Sequence, residues 1–288
     1  MKARDAAVAA LLKIQEKGGY SNIVLEEMLE HSDLADADRA FASRLLYGVT
    51  ERRLTLDYLL NKVSSTPVKQ MDAAVREILR VGAYQLVYMD KTPAFAAINE
   101  AVGQTRTFGC GRLSGFVNGV LRQVQRLYAN LLSELPLNDK GLEIRYSVPR
   151  AWIRAWRSAY GEAALQGLLD SINDAPPAYV RVNTCATTVA DFCARLDALG
   201  VSYSAIPDLS SALRVDDAGA LHNLPDECST HYYFQDLASQ WCCKALEAQS
   251  GERIADVCAA PGGKSFAAAV AMAGTGRIIS CDVHPHKI

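Results

Sequence analysis

A glycine-rich turn near the end of the sequence contains residue types that can hold a nucleotide-like ligand. The string DVCAAPGGKS runs from Asp256 to Ser265, between a short apolar stretch and a run of small residues. The stretches 253–257, 265–273 and 277–281 predict a strand, a helix and a second strand, and Asp282 follows that second strand. Ligands of open α/β sheets bind at this carboxyl edge of the strands.

Two common nucleotide-binding patterns do not fit this turn. A phosphate-binding loop needs GxxxxGK[ST], and Cys258 stands where its first glycine is required. A dinucleotide fold needs GxGxxG so that the backbone can touch a pyrophosphate, but Pro261 interrupts that spacing. Gly262 and Gly263 alone remain for close approach of a ligand. Both phosphate-bearing ligand classes are therefore disfavoured.

S-adenosylmethionine fits the residues of the turn better than the two phosphate-bearing ligand classes do. It has no phosphate, its carboxylate can lie near the amides of the turn, and its ribose diol needs an acidic acceptor. Asp282, 19 positions after Gly263, is such an acceptor. The alternative is that Asp282 caps a following helix in the string DVHPHK.

The composition is that of a soluble globular chain with two or three units. The 288 residues are 50% hydrophobic and 22% charged, without an apolar run near the roughly 20 residues of a membrane span. The first residues carry charges at helical spacing instead of a signal-peptide core, so a cytoplasmic monomer without a membrane partner is expected. The eight cysteines lack zinc spacing, which predicts reduced, mostly buried thiols and no metal site.

The elements that must position the turn follow from hydrophobic periodicity. Residues 1–130 repeat apolar residues at three and four positions and predict helices, including starts at Thr66-Pro67, Thr92-Pro93 and Ser114. The segment ELPLNDKGLEIRYSVPR, residues 134–150, breaks this rhythm and predicts a linker, with a domain boundary near 130–150. A small α+β unit follows, with strands and a helix predicted by AYVRVNT, TTVADFCARLDALG, VSYSAIPD and SALRVDD.

Several strings resemble known families. RVNT, FQDLASQ, DVCAAPGGKS and CDV resemble, in order and spacing, the NOL1/NOP2/Sun family of RNA 5-methylcytosine methyltransferases. TPAFAAINEAV and SGFVNGVLR resemble the helical domain of the NusB family, an RNA-binding module. Residues 1–130 carry 17 lysines and arginines against 14 acidic residues, a small excess that fits RNA contact and solvated helix faces equally well.

The resemblance implies three domains. An all-α NusB-like domain would occupy residues 1–135, and a linker with an α+β domain like an RNA-recognition motif would occupy 136–235. Residues 236–288 would begin an α/β class I, Rossmann-like methyltransferase domain that binds S-adenosylmethionine.

The resemblance also assigns residues to the cofactor. Asp282 would hold its ribose, and the residues of the turn would line it: Cys258, Ala259, Ala260, Pro261, Gly262, Gly263 and Lys264. Arg181 and Asn183 would help arrange RNA or a domain interface, unless they are simply solvated at a strand end. Gln235 and Asp236 would lie near the cofactor, or cap a helix.

The implied reaction is methylation of carbon 5 of a cytosine in small-subunit ribosomal RNA. In this family a cysteine first adds to carbon 6 of an unpaired or flipped-out base, which makes carbon 5 nucleophilic. None of the eight cysteines lies in the proline-linked motif of that nucleophile, so no catalytic residue is expected in this chain. The nucleophile is expected beyond Ile288, and the chain alone is expected to be inactive. The alternative is a non-enzymatic, NusB-like RNA-binding or antitermination module.

Overall fold

Twelve α-helices and six β-strands form the part of the chain that the computed structural model describes, namely residues 2–17, 21–30, 34–174 and 177–283. The chain divides into two units after Asp174. The first unit is helical in its described residues, and the second mixes strands and helices.

In its described residues the first unit contains nine helices; the first seven share a main core, and the last two pack in a separate cluster. Leu45, Leu56, Ile78 and Leu121 are fully buried in the main core, each on a different helix. The helices predicted for residues 1–130 are confirmed within the described residues. Their bounds, with two further helices, are α1 Ala3–Lys17, α2 Ser21–Glu30, α3 Asp36–Glu51, α4 Arg53–Val63, α5 Ala73–Tyr88, α6 Ala94–Thr107, α7 Ser114–Ser133, α8 Asp139–Tyr146 and α9 Arg150–Ser171.

The helix starts agree with the sequence at two of three places. α7 begins at Ser114 and α6 begins directly after Pro93, as predicted. The start predicted at Thr66-Pro67 is wrong, because this pair leads only into a single 3₁₀ turn. α5 begins later, where the carboxylate of Asp72 accepts hydrogen bonds from the amides of Ala74 and Val75 and so caps the helix.

Helix α8 lies in the stretch that the sequence predicted as a linker. Asn138 caps its first turn, and the Thr55 hydroxyl of α4 donates to the carbonyl of Ile144. The amide of Leu54 donates to Ser147 Oγ at 3.0 Å, which fixes the end of α8. The first compact unit continues through α9 and ends at Asp174. The three-domain division itself stays a prediction.

The second unit begins with a four-stranded antiparallel sheet. Its strands are β1 Ala178–Val182, β2 Tyr203–Ile206, β3 Leu209–Val215 and β4 Tyr232–Phe234, in the order β2-β3-β1-β4. Helix α10, Val189–Ala198, packs Phe192 and Leu196 against Val180, Val182 and Leu213 of the sheet. The strands and helix predicted for this stretch are confirmed, while β4 was not predicted.

A parallel β-α-β unit follows the sheet. Helix α11, Leu237–Leu246, leads to strand β5, Arg253–Asp256, then to helix α12, Gly263–Ala271, and to strand β6, Arg277–Ser280. β5 and β6 pair in parallel, as the sequence predicted. One face of this pair packs Ile254 and Ile278 against α12, whereas Ile279 is 46% exposed on the strand. Within the described residues, no helix has the length and apolar character needed to span a membrane.

Candidate cofactor-binding site

The end of strand β6 holds the glycine-rich turn in place. The amide of Ala259 donates to the carbonyl of Cys281 at 2.9 Å. The amide of Ala260 donates to the carboxylate of Asp282 at 3.2 Å. The turn between β5 and α12 is therefore bound to the carboxyl edge of β6, where the sequence predicted that Asp282 would lie.

Gly262 fits its position because of its backbone conformation. Its φ of 103° lies in the left-handed region, which side chains rarely adopt, and an added Cβ would lie 3.3 Å from the Phe266 ring. The Gly262 carbonyl accepts a hydrogen bond from the amide of Phe266 at 2.8 Å and starts α12. Gly262 has no side chain to cap the first amides of α12, and an anionic group is favoured at such a helix start.

A hydrogen-bond network that the sequence did not predict lies under the turn. The Ser265 hydroxyl of α12 donates to Asp256 Oδ2 at 2.8 Å and lies 2.9 Å from the hydroxyl of Ser280. The same carboxylate accepts from the amide of Cys258 at 3.3 Å. These bonds join both strands and the helix. The signal that could have indicated this network is the acidic residue Asp256 at the end of β5.

The structure brings all eight predicted cofactor residues to one edge of the β-α-β unit. Ala259 is buried, and Asp282 is half-buried with its carboxylate on the turn. The side chain of Lys264 is exposed on the first turn of α12. The helix-cap alternative for Asp282 concerns residues 284–288, which lie outside the described residues. Gly263 is the first residue of α12. The remaining members lie between β5 and α12: Cys258, Ala260, Pro261 and Gly262.

The other residues singled out in the sequence have different positions. Asp236 accepts a hydrogen bond from the amide of Ala238 at 2.8 Å and caps α11, which confirms the cap interpretation. The side-chain Nδ2 of Asn183 donates to the carbonyl of Thr230 at 2.9 Å and joins the end of β1 to the loop before β4. Gln235 is buried directly below the turn.

The cysteines are free thiols, but the prediction that most of them are buried is wrong. Cys110 and Cys228 are buried, while Cys258 and Cys281 are exposed because they flank the ends of β5 and β6. The apolar residues around these cysteines predicted burial, but they did not distinguish a cysteine inside a buried strand from one just past an exposed strand end. Across the described ranges, no cluster of three or more histidine, cysteine or acidic side chains could hold a metal ion.

Comparison with protein families identifies both parts of the fold. A model of the NusB family matches residues 1–126, and one described as Methyltr_RsmF/B-like, ferredoxin-like domain matches residues 148–222. The crystal structure of PH0851 superimposes with a TM-score of 0.73 at 18% identity and covers 100% of this chain and 65% of that one. At this identity, the superposition supports the fold alone.

Two curated relatives align with almost the whole chain. The probable ribosomal RNA small subunit methyltransferase B of Synechocystis sp. is 32% identical over 289 residues, which cover 100% of this chain and 65% of that protein. The protein of the same name from Bacillus subtilis is 32% identical over 99% of this chain and 63% of its own length. The chain thus spans less than two thirds of each relative. By its two domain matches and its alignments, the chain is similar over its whole length to the ribosomal RNA small subunit methyltransferases B, the Fmu/Sun group.

Proposed function

We propose that this chain binds S-adenosylmethionine at the glycine-rich turn and serves methylation of small-subunit ribosomal RNA. The observation that carries the proposal is the closed turn, in which Asp282 at the end of β6 bonds the amide of Ala260. The cofactor's ribose would lie beside Asp282, and its carboxylate would lie at the first amides of α12. The sulfonium would then present its methyl group at the open edge of β5 and β6. In this proposal the β-α-β unit is the start of a class I methyltransferase sheet.

The finer assignment is the reaction at carbon 5 of a cytosine. Carbon 5 is too weak a nucleophile to take a methyl group unless a cysteine thiolate first adds to carbon 6. Cys258 and Cys281 are exposed near the turn, yet neither follows a proline as the family's nucleophile does. We therefore propose that residues 1–288 supply cofactor and RNA binding, and that the attacking cysteine is not one of the eight present.

The experiment that tests the cofactor assignment is calorimetric titration of the chain with S-adenosylmethionine, ATP and NAD in parallel. The turn lacks the first glycine of a phosphate-binding loop, and Pro261 interrupts the GxGxxG spacing of a dinucleotide loop. S-adenosylmethionine should therefore bind, and the two phosphate-bearing ligands should not compete with it.

A second role, RNA binding by the helical unit, is favoured by the NusB family match over residues 1–126. Because its basic residues would contact phosphates, the affinity of the chain for structured RNA should be weak and should fall as salt rises. Fluorescence anisotropy with a small-subunit ribosomal RNA fragment between about 50 and 200 mM salt measures this dependence. Absence of RNA binding at the lowest salt concentration would contradict this role and would indicate that the helical unit is a scaffold.

A further inference from the structure

Three polar groups that lack a complementary partner meet below the glycine-rich turn. Gln235 is 7% exposed, and its buried Oε1 atom has no hydrogen-bond donor among the described residues. The buried hydroxyl of Tyr233 likewise has no partner in the part of the chain that the structure describes. Arg181 is half-buried and forms no ion pair with a carboxylate of the described chain. Buried polar groups without partners are uncommon and costly, so their clustering calls for a ligand.

Arg181 and Tyr233 lie in the four-stranded sheet β1 to β4, here called the ferredoxin-like sheet, and Gln235 directly follows β4. Tyr233 and Gln235 face the start of α12. Arg181 on β1 lies opposite Tyr233 on β4 in the sheet register, which places both side chains on the same face. A Cβ built on Gly263 would lie 3.5 Å from Gln235 Nε2 and 3.9 Å from Tyr233 Cε2. Gln235 Nε2 also donates to the sulfur of Cys243 on α11 at 3.6 Å, which leaves Oε1 as the acceptor of this side chain.

The chemistry of the three groups is complementary to an amino-acid zwitterion. A guanidinium binds a carboxylate, and an amide oxygen accepts from an ammonium group. Burial raises the pKa of Tyr233 to about 12, so its hydroxyl keeps its proton at neutral pH and can donate. A phosphate offers acceptors alone and would leave Gln235 Oε1 without a donor. The cluster therefore fits an α-amino acid better than an RNA phosphate.

We propose that Arg181, Tyr233 and Gln235 bind the amino-acid end of S-adenosylmethionine. Arg181 and Tyr233 would bind the carboxylate together with the first amides of α12, and Gln235 would bind the ammonium. This inference rests on the proposed function, because it needs the cofactor at the turn. It gives the ferredoxin-like sheet a direct part in the cofactor site, in addition to the residues of the CAAPGGK string. The sheet would then make the affinity depend on whether the ligand carries a complete amino-acid end.

The experiment compares S-adenosylmethionine with 5′-methylthioadenosine, which shares the adenosine and lacks the amino-acid end. Arg181→Met and Gln235→Leu should each weaken S-adenosylmethionine binding about tenfold, because one buried partner is lost, and leave methylthioadenosine binding unchanged. The control is Arg195→Met, since Arg195 lies on α10 and pairs with Glu227 at 3.3 Å. It should change neither affinity. Thermal melting of each variant checks that the fold is retained.

The unaltered chain gives an independent readout that no folding defect can disturb. It should bind S-adenosylmethionine about tenfold or more tightly than its decarboxylated form, which lacks the group assigned to Arg181. Equal affinities for these two ligands, or variants that weaken both ligands alike, would overturn the amino-acid site while leaving the turn as the cofactor site. Failure of the unaltered chain to bind any adenosine ligand would overturn the proposed function as well.

Discussion

Replacing Asp282 with alanine should weaken S-adenosylmethionine binding by about 1–3 kcal/mol, or roughly 5-fold to 150-fold in Kd. The half-buried carboxylate lies at the end of β6, where the ribose diol would donate two hydrogen bonds to it. Without the carboxylate, the diol would remain partly desolvated and unpaired. Asp282 also accepts from the amide of Ala260, so the variant would loosen the turn in addition. Calorimetric titration measures the change in Kd.

The matched control is Glu252→Ala, because Glu252 lies just before β5 at the opposite edge of the same sheet. It accepts a hydrogen bond from the amide of Gln249 at 2.8 Å, and its loss should leave the affinity unchanged. Asp282→Asn separates the two roles of the carboxylate. The asparagine oxygen can still accept from Ala260 but holds the diol less well, so an intermediate Kd is expected. Unchanged affinity in Asp282→Ala would remove this residue from the site.

Arg80→Met should lower the free energy of unfolding by about 3 kcal/mol, because it leaves a buried carboxylate without its main partner. The side chain of Glu77 is 3% exposed and lies 2.7 Å from Arg80. Arg80 also binds both oxygens of Asp57, at 2.7 Å each, and so joins α4 to α5. Burial by itself lowers the pKa of Arg80, but the bonds and charges of these two acids raise it above its usual value, which favours the charged form. Urea unfolding at neutral pH measures the loss.

The control for this variant is Lys2→Met, which removes an ion pair at the surface. Lys2 lies 3.2 Å from Glu100, and the two side chains are 71% and 35% exposed. Exposed pairs contribute at most about 1 kcal/mol, so the unfolding midpoint should barely move. Equal midpoints for Arg80→Met and Lys2→Met would show that the Arg80 cluster does not stabilise the helical unit.

The sequence predicted those parts of the fold in which local patterning and tertiary packing agree. The helices of the first unit and the strands β1 to β3 carry strong periodicity, and their positions are confirmed. β4 has three residues, too few for a period to be read. Helix α8 lies among Pro136, Gly141 and Pro149, which indicated a loop, but contacts with α4 hold it as a helix. Those contacts join residues about 90 positions apart and leave no local signal.

The candidate site shows the same division. The residues of the turn are contiguous in sequence, and the acidic residue after β6 follows from strand spacing, so both were predicted. The Ser265 network depends on how α12 packs on β5 and β6, which spacing alone does not specify. The approach of Gln235 and Tyr233 to Gly263 depends on contact between the ferredoxin-like sheet and α12. The resemblance placed Gln235 near the cofactor, but nothing in the sequence singled out Tyr233 as a residue of this site.

The central claim is that the closed turn between β5 and α12 is an S-adenosylmethionine site, and a crystal structure of the chain with S-adenosylhomocysteine tests it most directly. The account predicts the ribose hydroxyls within about 3 Å of the Asp282 carboxylate and the ligand's carboxylate near the amide of Gly263. Adenosine bound elsewhere on the chain, or a turn that stays empty at ligand concentrations that saturate binding in solution, would contradict it.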